Sequence, residues 1–330
     1  MSFRQEKMKT INIGVFNPAL IHSASPYPGD NVFAKGLELL DNEVNRFDYR
    51  ATKNPNPDLL EFADKIKPDL FWFGKCESIY PETIRALKHK FPNSIFCKWA
   101  ADMRLEPTEF DLAHLKYMDL FAATYAGDHL KKHKEVMPKD SVAMSIMTFT
   151  DSDFYKSYTV PKKYKSDVLW TGRLSVGDNE MRNEIIQRLA ELSKDLNMQI
   201  YGLSNWLGSP DYQQAICGAK IGIGSNSFNR RKYSSDRLGN YMACGTFYLT
   251  QYIDGIEECF SKGENLDWFY SVDEMEEQIL YYLNNEKERL SIAKKGQEFV
   301  LKHFDAEPLV SNILNTLKTK KSQNSWDEVY

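Results

Sequence analysis

The residues with most chemistry fall in one run, Ser234-Ser235-Asp236-Arg237-Leu238-Gly239-Asn240-Tyr241-Met242-Ala243-Cys244-Gly245. Ser235 to Cys244 reads as a helix closed by Gly245. A helix N-terminus presents unpaired N–H groups and about half a positive charge, which suits a phosphate. Ser235 has an N-cap side chain, and Arg237 in the first turn adds a planar fork for phosphate oxygens. The same residues also describe an ordinary capped helix with Arg237 paired to Asp236 at the surface, and both readings stay open. Three carboxylates come next. Asp30 lies in Pro28-Gly29-Asp30-Asn31, between a strand and a helix, where Asp30 or Asn31 would cap that helix. Glu77 and Asp102 follow predicted strands and would share the same sheet edge, or are ordinary loop carboxylates.

Two constellations imitate metal sites. Asp151-Ser152-Asp153 has the spacing of a carboxylate pair that binds Mn²⁺ or Mg²⁺, but it falls in a predicted linker. His129 and His133 are four apart on a helical stretch, a spacing that binds zinc. Lys131, Lys132 and Lys134 surround them and repel a cation, so a solvated helix face is the better reading. No metal is expected.

The elements that must hold these groups alternate. Ile11 to Phe16, Asp69 to Phe73, Ser94 to Trp99 and Met118 to Ala123 read as strands. Helical spacing covers Val32 to Leu40, and Pro81 opens a helix carrying Ile84 and Leu87. Such alternation implies βαβ units and a parallel sheet, with strand C-termini on one edge where ligands bind. The pattern weakens from Thr148 to Lys165, a linker, and then restarts. Asp167 to Trp170, Gln199 to Tyr201, Lys220 to Gly224 and Phe247 to Thr250 read as strands. Met181 to Leu192 reads as a helix with Ile185, Ile186 and Leu189 inward. Ser271-x-x-Glu274 is a capping box, Glu286 to His303 is a long helix, and Ser322 to Tyr330 is a polar tail.

Composition narrows the class. The chain has 330 residues, enough for two domains of roughly 150 each. With 42% hydrophobic and 27% charged residues it is globular, not disordered. The net charge of -4 gives no global field toward a polyanion. Basic runs at Lys131 to Lys134, Arg230 to Lys232 and Lys318 to Lys321 are mostly solvated faces. No run approaches the ~18 apolar residues that cross a bilayer, and the five cysteines form no CxxC pair. The cytoplasm is the expected compartment.

Order and spacing over about residues 165 to 305 resemble the C-terminal domain of the CgeB-type, spore-maturation-protein-like glycosyltransferases of the family-4-like GT-B group. The residues that carry this are Ser235-Asp236-Arg237, Ala243-Cys244-Gly245, Phe247 to Thr250 and Gly255-Ile256-Glu257-Glu258-Cys259-Phe260. Tyr281-Tyr282-Leu283, Glu288-Arg289 and Ile292-Ala293-Lys294-Lys295-Gly296 continue it. Leu169-Trp170-Thr171-Gly172-Arg173-Leu174 resembles the first strand and loop of such donor domains. The resemblance implies an α/β GT-B fold, two Rossmann-like parallel-sheet domains facing a cleft. Residues 1–155 would take the acceptor, 165–305 the donor, and 306–330 would cross back to the first domain.

It also implies a nucleotide-diphosphate sugar as co-substrate, with no further cofactor. Gly172, Arg173, Arg182, Tyr201, Gly202, Ser235, Asp236, Arg237 and Asn240 are the donor-binding candidates. Asp30 would be the base that deprotonates the acceptor, as Gly-Asp at this place resembles the heptosyltransferase branch, with Glu77 and Asp102 next in line. Two departures stand out. Asn240 replaces the Glu of many relatives, and Lys232, eight residues earlier, replaces a second acid. They keep open a non-catalytic nucleotide-sugar or sugar-binding protein beside the metal-independent hexosyl- or pentosyltransferase. Acceptors in view are a glycan, a small molecule or a hydroxylated base in DNA.

Overall fold

The computed structural model describes residues 7–20, 26–101, 106–173, 177–202 and 207–330. Asp102 and Leu174 lie outside the described residues. The chain divides into two compact units. One is built on residues 27–146 with the first strand and residues 306–330; the other is built on 147–305.

The first unit contains β1 (Lys9–Gly14), β2 (Glu43–Asp48), β3 (Leu70–Phe73), β4 (Ile95–Ala100), β5 (Leu120–Ala123) and β6 (Val142–Ser145). They form one parallel sheet in the order β2-β1-β3-β4-β5-β6. The crossovers carry α1 (Gly29–Leu39), α2 (Pro55–Ile66), α3 (Pro81–Lys90), α4 (Glu109–Leu115) and α5 (Gly127–Glu135). Leu70, Phe71, Trp72 and Phe73 of β3 are all fully buried. A sheet covered on both faces needs such an unbroken apolar run. β2 escapes the sequence reading because Glu-Val-Asn-Arg-Phe-Asp is half-buried or exposed throughout and neither continuous nor alternating.

The second unit repeats the plan. β7 (Ser166–Thr171), β8 (Met198–Tyr201), β9 (Ala219–Gly224), β10 (Phe247–Gln251) and β11 (Asp267–Phe269) lie in the order β11-β10-β9-β7-β8, all parallel. Its helices are α6 (Met181–Leu192), α7 (Asp211–Gly218), α8 (Arg237–Ala243), α9 (Val272–Asn284) and α10 (Glu286–Phe304). Ile185, Ile186 and Leu189 pack into a core with Val168, Trp170, Ile221 and Leu249. The Ser271 hydroxyl accepts the Glu274 N–H at 3.2 Å, as the capping spacing requires. In both sheets the strand order reverses beside the unit's first strand, between β1 and β3 and between β7 and β9. Parallel sheets open a ligand crevice at such switch points, outside the strand C-termini.

The last residues complete the first unit. α11 (Ala306–Thr319) packs on α1. The two approach so closely at Gly36 that a Cβ there would lie 2.2 Å from the Ala306 carbonyl oxygen. The run from Ser322 is no loose tail. Tyr330 exchanges both backbone hydrogen bonds with Ala143, at 2.8 and 2.9 Å, and the Ser145 N–H donates to the Glu328 carbonyl at 2.8 Å. The chain thus lays an antiparallel cover on the β6 edge.

Candidate functional site

At the switch point of the second unit two arginines converge on one backbone oxygen. Arg182, in the first turn of α6, donates from Nη1 to the Ser225 carbonyl and, at 3.2 Å, to the Ser225 hydroxyl. Arg237 donates from Nη2 to the same carbonyl at 2.9 Å. Ser225 directly follows β9. Arg182 also bonds the Arg173 carbonyl, at 3.2 and 2.7 Å, and its guanidinium lies 5.3 Å from the Trp170 ring centroid. Gly172 makes this possible, because a Cβ there would stand 2.7 Å from Arg182 Nη2. Arg182 is 2% exposed and Arg237 8%. Among the described residues no carboxylate pairs with either.

The electrostatics follow from that arrangement. Burial, and then the neighbouring Arg237 charge, push the Arg182 pKa down to about 9. Burial opposes the Arg237 charge as well, but Tyr248 and Asp236 around it hold its pKa above the ordinary value. Both are cations at neutral pH. Burying a charge outside a salt bridge costs several kcal/mol. Two further donors are unused: Arg237 Nε and the Ser235 hydroxyl are buried without a hydrogen-bond partner.

Part of the sequence reading is corrected here. α8 starts at Arg237, not Ser235; Asp236 is the N-cap residue and makes no side-chain cap bond. Ser235 instead turns its N–H to Asn226 Oδ1 at 3.2 Å. Arg237 is no surface partner of Asp236, whose carboxylate accepts from Asn240 Nδ2 at 3.3 Å. Asn240 is buried one turn further on and accepts from the Thr150 hydroxyl at 3.4 Å. Lys232 is 2% exposed and ion-paired with Glu258 at 2.6 Å. The side chain of Arg173 is exposed. Tyr201 is half-buried beside it, its carbonyl accepting the Gly172 N–H at 3.1 Å, and Gly202 follows with φ of 109°. Ser225 was missed from sequence; Gly222 and Gly224 at a strand end followed by Ser225-Asn226 was the available signal.

The switch point of the first unit holds Asp30. It caps nothing, since α1 starts at Gly29 after Pro28 without a side-chain cap. Its Oδ2 accepts the Val15 N–H at 2.7 Å and its Oδ1 accepts Trp99 Nε1–H at 2.9 Å. Gly14 and Gly74 make the slot, because a Cβ on either would overlap the carboxyl at 2.3 and 2.0 Å. Asp30 is 5% exposed, and burial raises its pKa to about 6 against those two hydrogen bonds. Lys98, buried on β4, donates to the Gly74 and Lys75 carbonyls at 2.8 and 3.1 Å. Glu77 is more open. Burial works against its charge, but the Tyr49 hydroxyl and Arg50 donate to its two oxygens and hold its pKa below the ordinary value.

The metal-like motifs have other work. The Asp151 carboxylate accepts the Asp153 N–H at 2.9 Å, and Ser152 binds Asp305 through N–H and hydroxyl at 2.9 and 2.5 Å. His133 is buried, not solvated; its Nδ1 faces the His129 carbonyl at 2.8 Å, and burial lowers its pKa. Among the described residues no group of three metal-ligating side chains occurs. Two of the three basic runs carry local ion pairs. Lys131 pairs with Asp128, Lys132 with Glu106, Arg230 with Asp178 and Arg231 with Glu258. No described helix is long and apolar enough to cross a membrane.

Comparison with solved structures gives the architecture a name. The HepE structure from Anabaena, in complex with UDP and glucose, superposes with a TM-score of 0.60 at 13% identity, over 94% of this chain and 100% of that one. Sucrose-phosphate synthase from Thermosynechococcus elongatus gives 0.63 at 13%, over 95% and 99%. A glycosyltransferase from Rickettsia africae gives 0.62 at 15%, over 95% and 98%. The fold is GT-B. Residues 182–315 match the family model described as "Glycosyl transferase-like". No curated protein matches the sequence. The matched stretch contains both Arg182 and Arg237.

Proposed function

We propose that the chain is a glycosyltransferase that takes its sugar from a nucleoside diphosphate sugar and passes it to an acceptor hydroxyl. The observation that carries this is the pair of buried guanidiniums at the β7/β9 switch point, neither salt-bridged to a carboxylate among the described residues. A diphosphate supplies the missing negative charge, and two fixed cations stabilise it further as it becomes the leaving group. Arg237 Nε and the Ser235 hydroxyl are donors for its oxygens. The guanidiniums do the work that a divalent cation does elsewhere, so no metal is required. Of the neighbours, HepE was crystallised with UDP-glucose, which supports a uridine nucleotide and a hexose as the first donor to try.

On the acceptor side Asp30 is the base of choice. A general base works best with a pKa near the working pH, and about 6 suits that role. Val15 and Trp99 orient its carboxylate, and each oxygen keeps a lone pair. Glu77, held ionised by Arg50, is the alternative. With Lys232 and Asn240 where retaining relatives carry acids, the reading is an inverting displacement. Those same substitutions favour a second reading, a binding protein without turnover.

The test is a panel of UDP-, GDP-, ADP- and TDP-sugars, followed by calorimetry for binding and by nucleotide release for turnover. Micromolar binding of one nucleoside diphosphate with release above the uncatalysed rate is the expected result. Binding without release establishes the second reading. No binding of any nucleoside diphosphate overturns both.

A further inference from the structure

One buried ammonium of the first unit stands outside any salt bridge. Lys98, on β4, is 3% exposed, and among the described residues no carboxylate is ion-paired with it. Met, of similar length, would fill the same space without the cost of burying a charge. The Lys98 ammonium serves backbone instead, donating to the Gly74 and Lys75 carbonyls at 2.8 and 3.1 Å. Those carbonyls open the loop that joins β3 to α3. The loop is held in a demanding shape. Cys76 has a φ of 54°, in the left-handed region that side chains rarely adopt, and its Sγ–H donates to the Ile13 carbonyl at 3.3 Å.

Asp30 and Lys98 meet this loop from opposite faces of the sheet. α1 covers one face, where the Phe33 ring lies 5.6 Å from that of Trp72 and 4.3 Å from that of Trp99. Phe71 and Phe73 pack against Phe96 on the other. Strand side chains alternate, so Lys98 shares the face of Phe96, while Asp30 takes its bond from Trp99. Gly74 lies between the two. A Cβ on it would stand 2.0 Å from Asp30 Oδ1.

We propose that Lys98 is the positioning residue of Asp30: from the far face of the sheet it fixes the Gly74–Lys75 backbone on which the carboxyl rests, and it holds a positive charge close to that carboxyl. The contacts through Gly74 put the ammonium within about 9 Å of the carboxylate. At an effective dielectric constant of about 20, one charge at that distance moves a titration midpoint by about one pH unit. Lys98 thus works against the burial that favours protonated Asp30, while Asp48 at the end of β2 acts in the opposite sense. Burial lowers the Lys98 pKa, and Cys76, Asp111 of α4, Asp30 and Glu77 oppose that. Burial also pushes the Cys76 thiol up to about 12 and His114 of α4 down to about 3, so both are neutral where Asp30 titrates. For turnover this role rests on Asp30 being the base; for the titration of Asp30 it does not.

Full-length chain labelled with carbon-13 at its aspartate carboxyls reports the Asp30 midpoint by NMR, the signal being assigned by its loss in Asp30→Asn. The wild-type midpoint lies at about 6, and in Lys98→Met it should rise by about one pH unit. Lys98→Arg keeps the cation and should leave the midpoint near the wild-type value. Lys98→Gln keeps a donor without charge and should raise it. Should Lys98→Met fail to fold, Lys98→Gln against Lys98→Arg decides. In transfer assays Lys98→Met should bind the nucleotide donor as wild type does. Its kcat/KM should fall about fivefold further near pH 6 than near pH 8, as the ionised fraction of Asp30 falls. A side chain that merely filled space would lower turnover equally at both. An Asp30 midpoint that stays put or falls in folded Lys98→Met or Lys98→Gln overturns the proposal. A raised midpoint with an unchanged pH dependence of transfer upholds the hold of Lys98 on Asp30 and overturns Asp30 as the base instead.

Discussion

Asp30 makes the stability of this protein depend on pH in a direction opposite to most carboxylates. Its pKa stands at about 6 against an ordinary 3.8, because burial outweighs the bonds from Val15 and Trp99. The folded chain thus holds this proton more tightly than the unfolded chain. The resulting stability is fully present below about 3.8 and is lost as pH rises through about 6. A tenfold change in proton affinity is about 1.4 kcal/mol, so the whole effect is about 3 kcal/mol. Asp30→Asn has no proton to lose. It also turns an amide N–H₂ toward one of two N–H donors and forfeits one bond, which costs about 1–3 kcal/mol at every pH. Unfolding free energies from urea titrations of both proteins between pH 4 and 7.5 test this. The advantage of wild type over Asp30→Asn should be largest near pH 4 and shrink by about 2.5 kcal/mol toward pH 7. Other titrating groups cancel in the difference. Parallel profiles would refute the argument, showing that the slot does not favour the protonated acid. The same variant should lower turnover by about 10²–10⁴ if Asp30 is the base, and the acid limb of kcat/KM near pH 6 should vanish with it.

Arg237→Ala should weaken nucleoside diphosphate affinity by one to two decades, from about 1.5–3 kcal/mol of lost charge-assisted hydrogen bonding, measured by calorimetry. Equal affinity in the variant would show that the pair of guanidiniums is not the anion site. Excess EDTA should leave sugar transfer unchanged; a loss restored by Mn²⁺ would move the reading to a metal-dependent site.

Long-period features were the legible ones. The two rounds of βα alternation follow from apolar runs such as Leu70 to Phe73 and from the α6 face of Ile185, Ile186 and Leu189, and local periodicity carries that information. The edge strand β2 was lost because its residues are half in water. At the site, Arg182 and Arg237 were readable as cations, but their meeting at Ser225 was not. It depends on the β7/β9 pairing, which joins residues 53 apart and sets Ser225 beside Arg182, 43 residues earlier. Asp30 was readable as a carboxylate at a sheet edge, yet its slot needs Gly14, Gly74 and Trp99 from three strand ends. No spacing in the sequence encodes that convergence. The start of α8 was misplaced because Ser235 has the side chain of a capping residue, yet its hydroxyl caps nothing and its backbone N–H donates to Asn226 Oδ1.

The return of the chain to its first unit sets an order of events during synthesis. Residues 147–305 form a continuous unit and have every strand they need once residue 305 has emerged. The first unit does not: α1 lacks the helix that packs at Gly36, and the β6 edge lacks its cover, until residues 306–330 follow. At roughly 5–20 residues per second, the wait from residue 146 to residue 330 is about 10–40 s. Through that interval a strand edge and an apolar helix face stand open, the features that holdase chaperones bind and that promote aggregation. Although made first, the first unit is therefore the last to be finished.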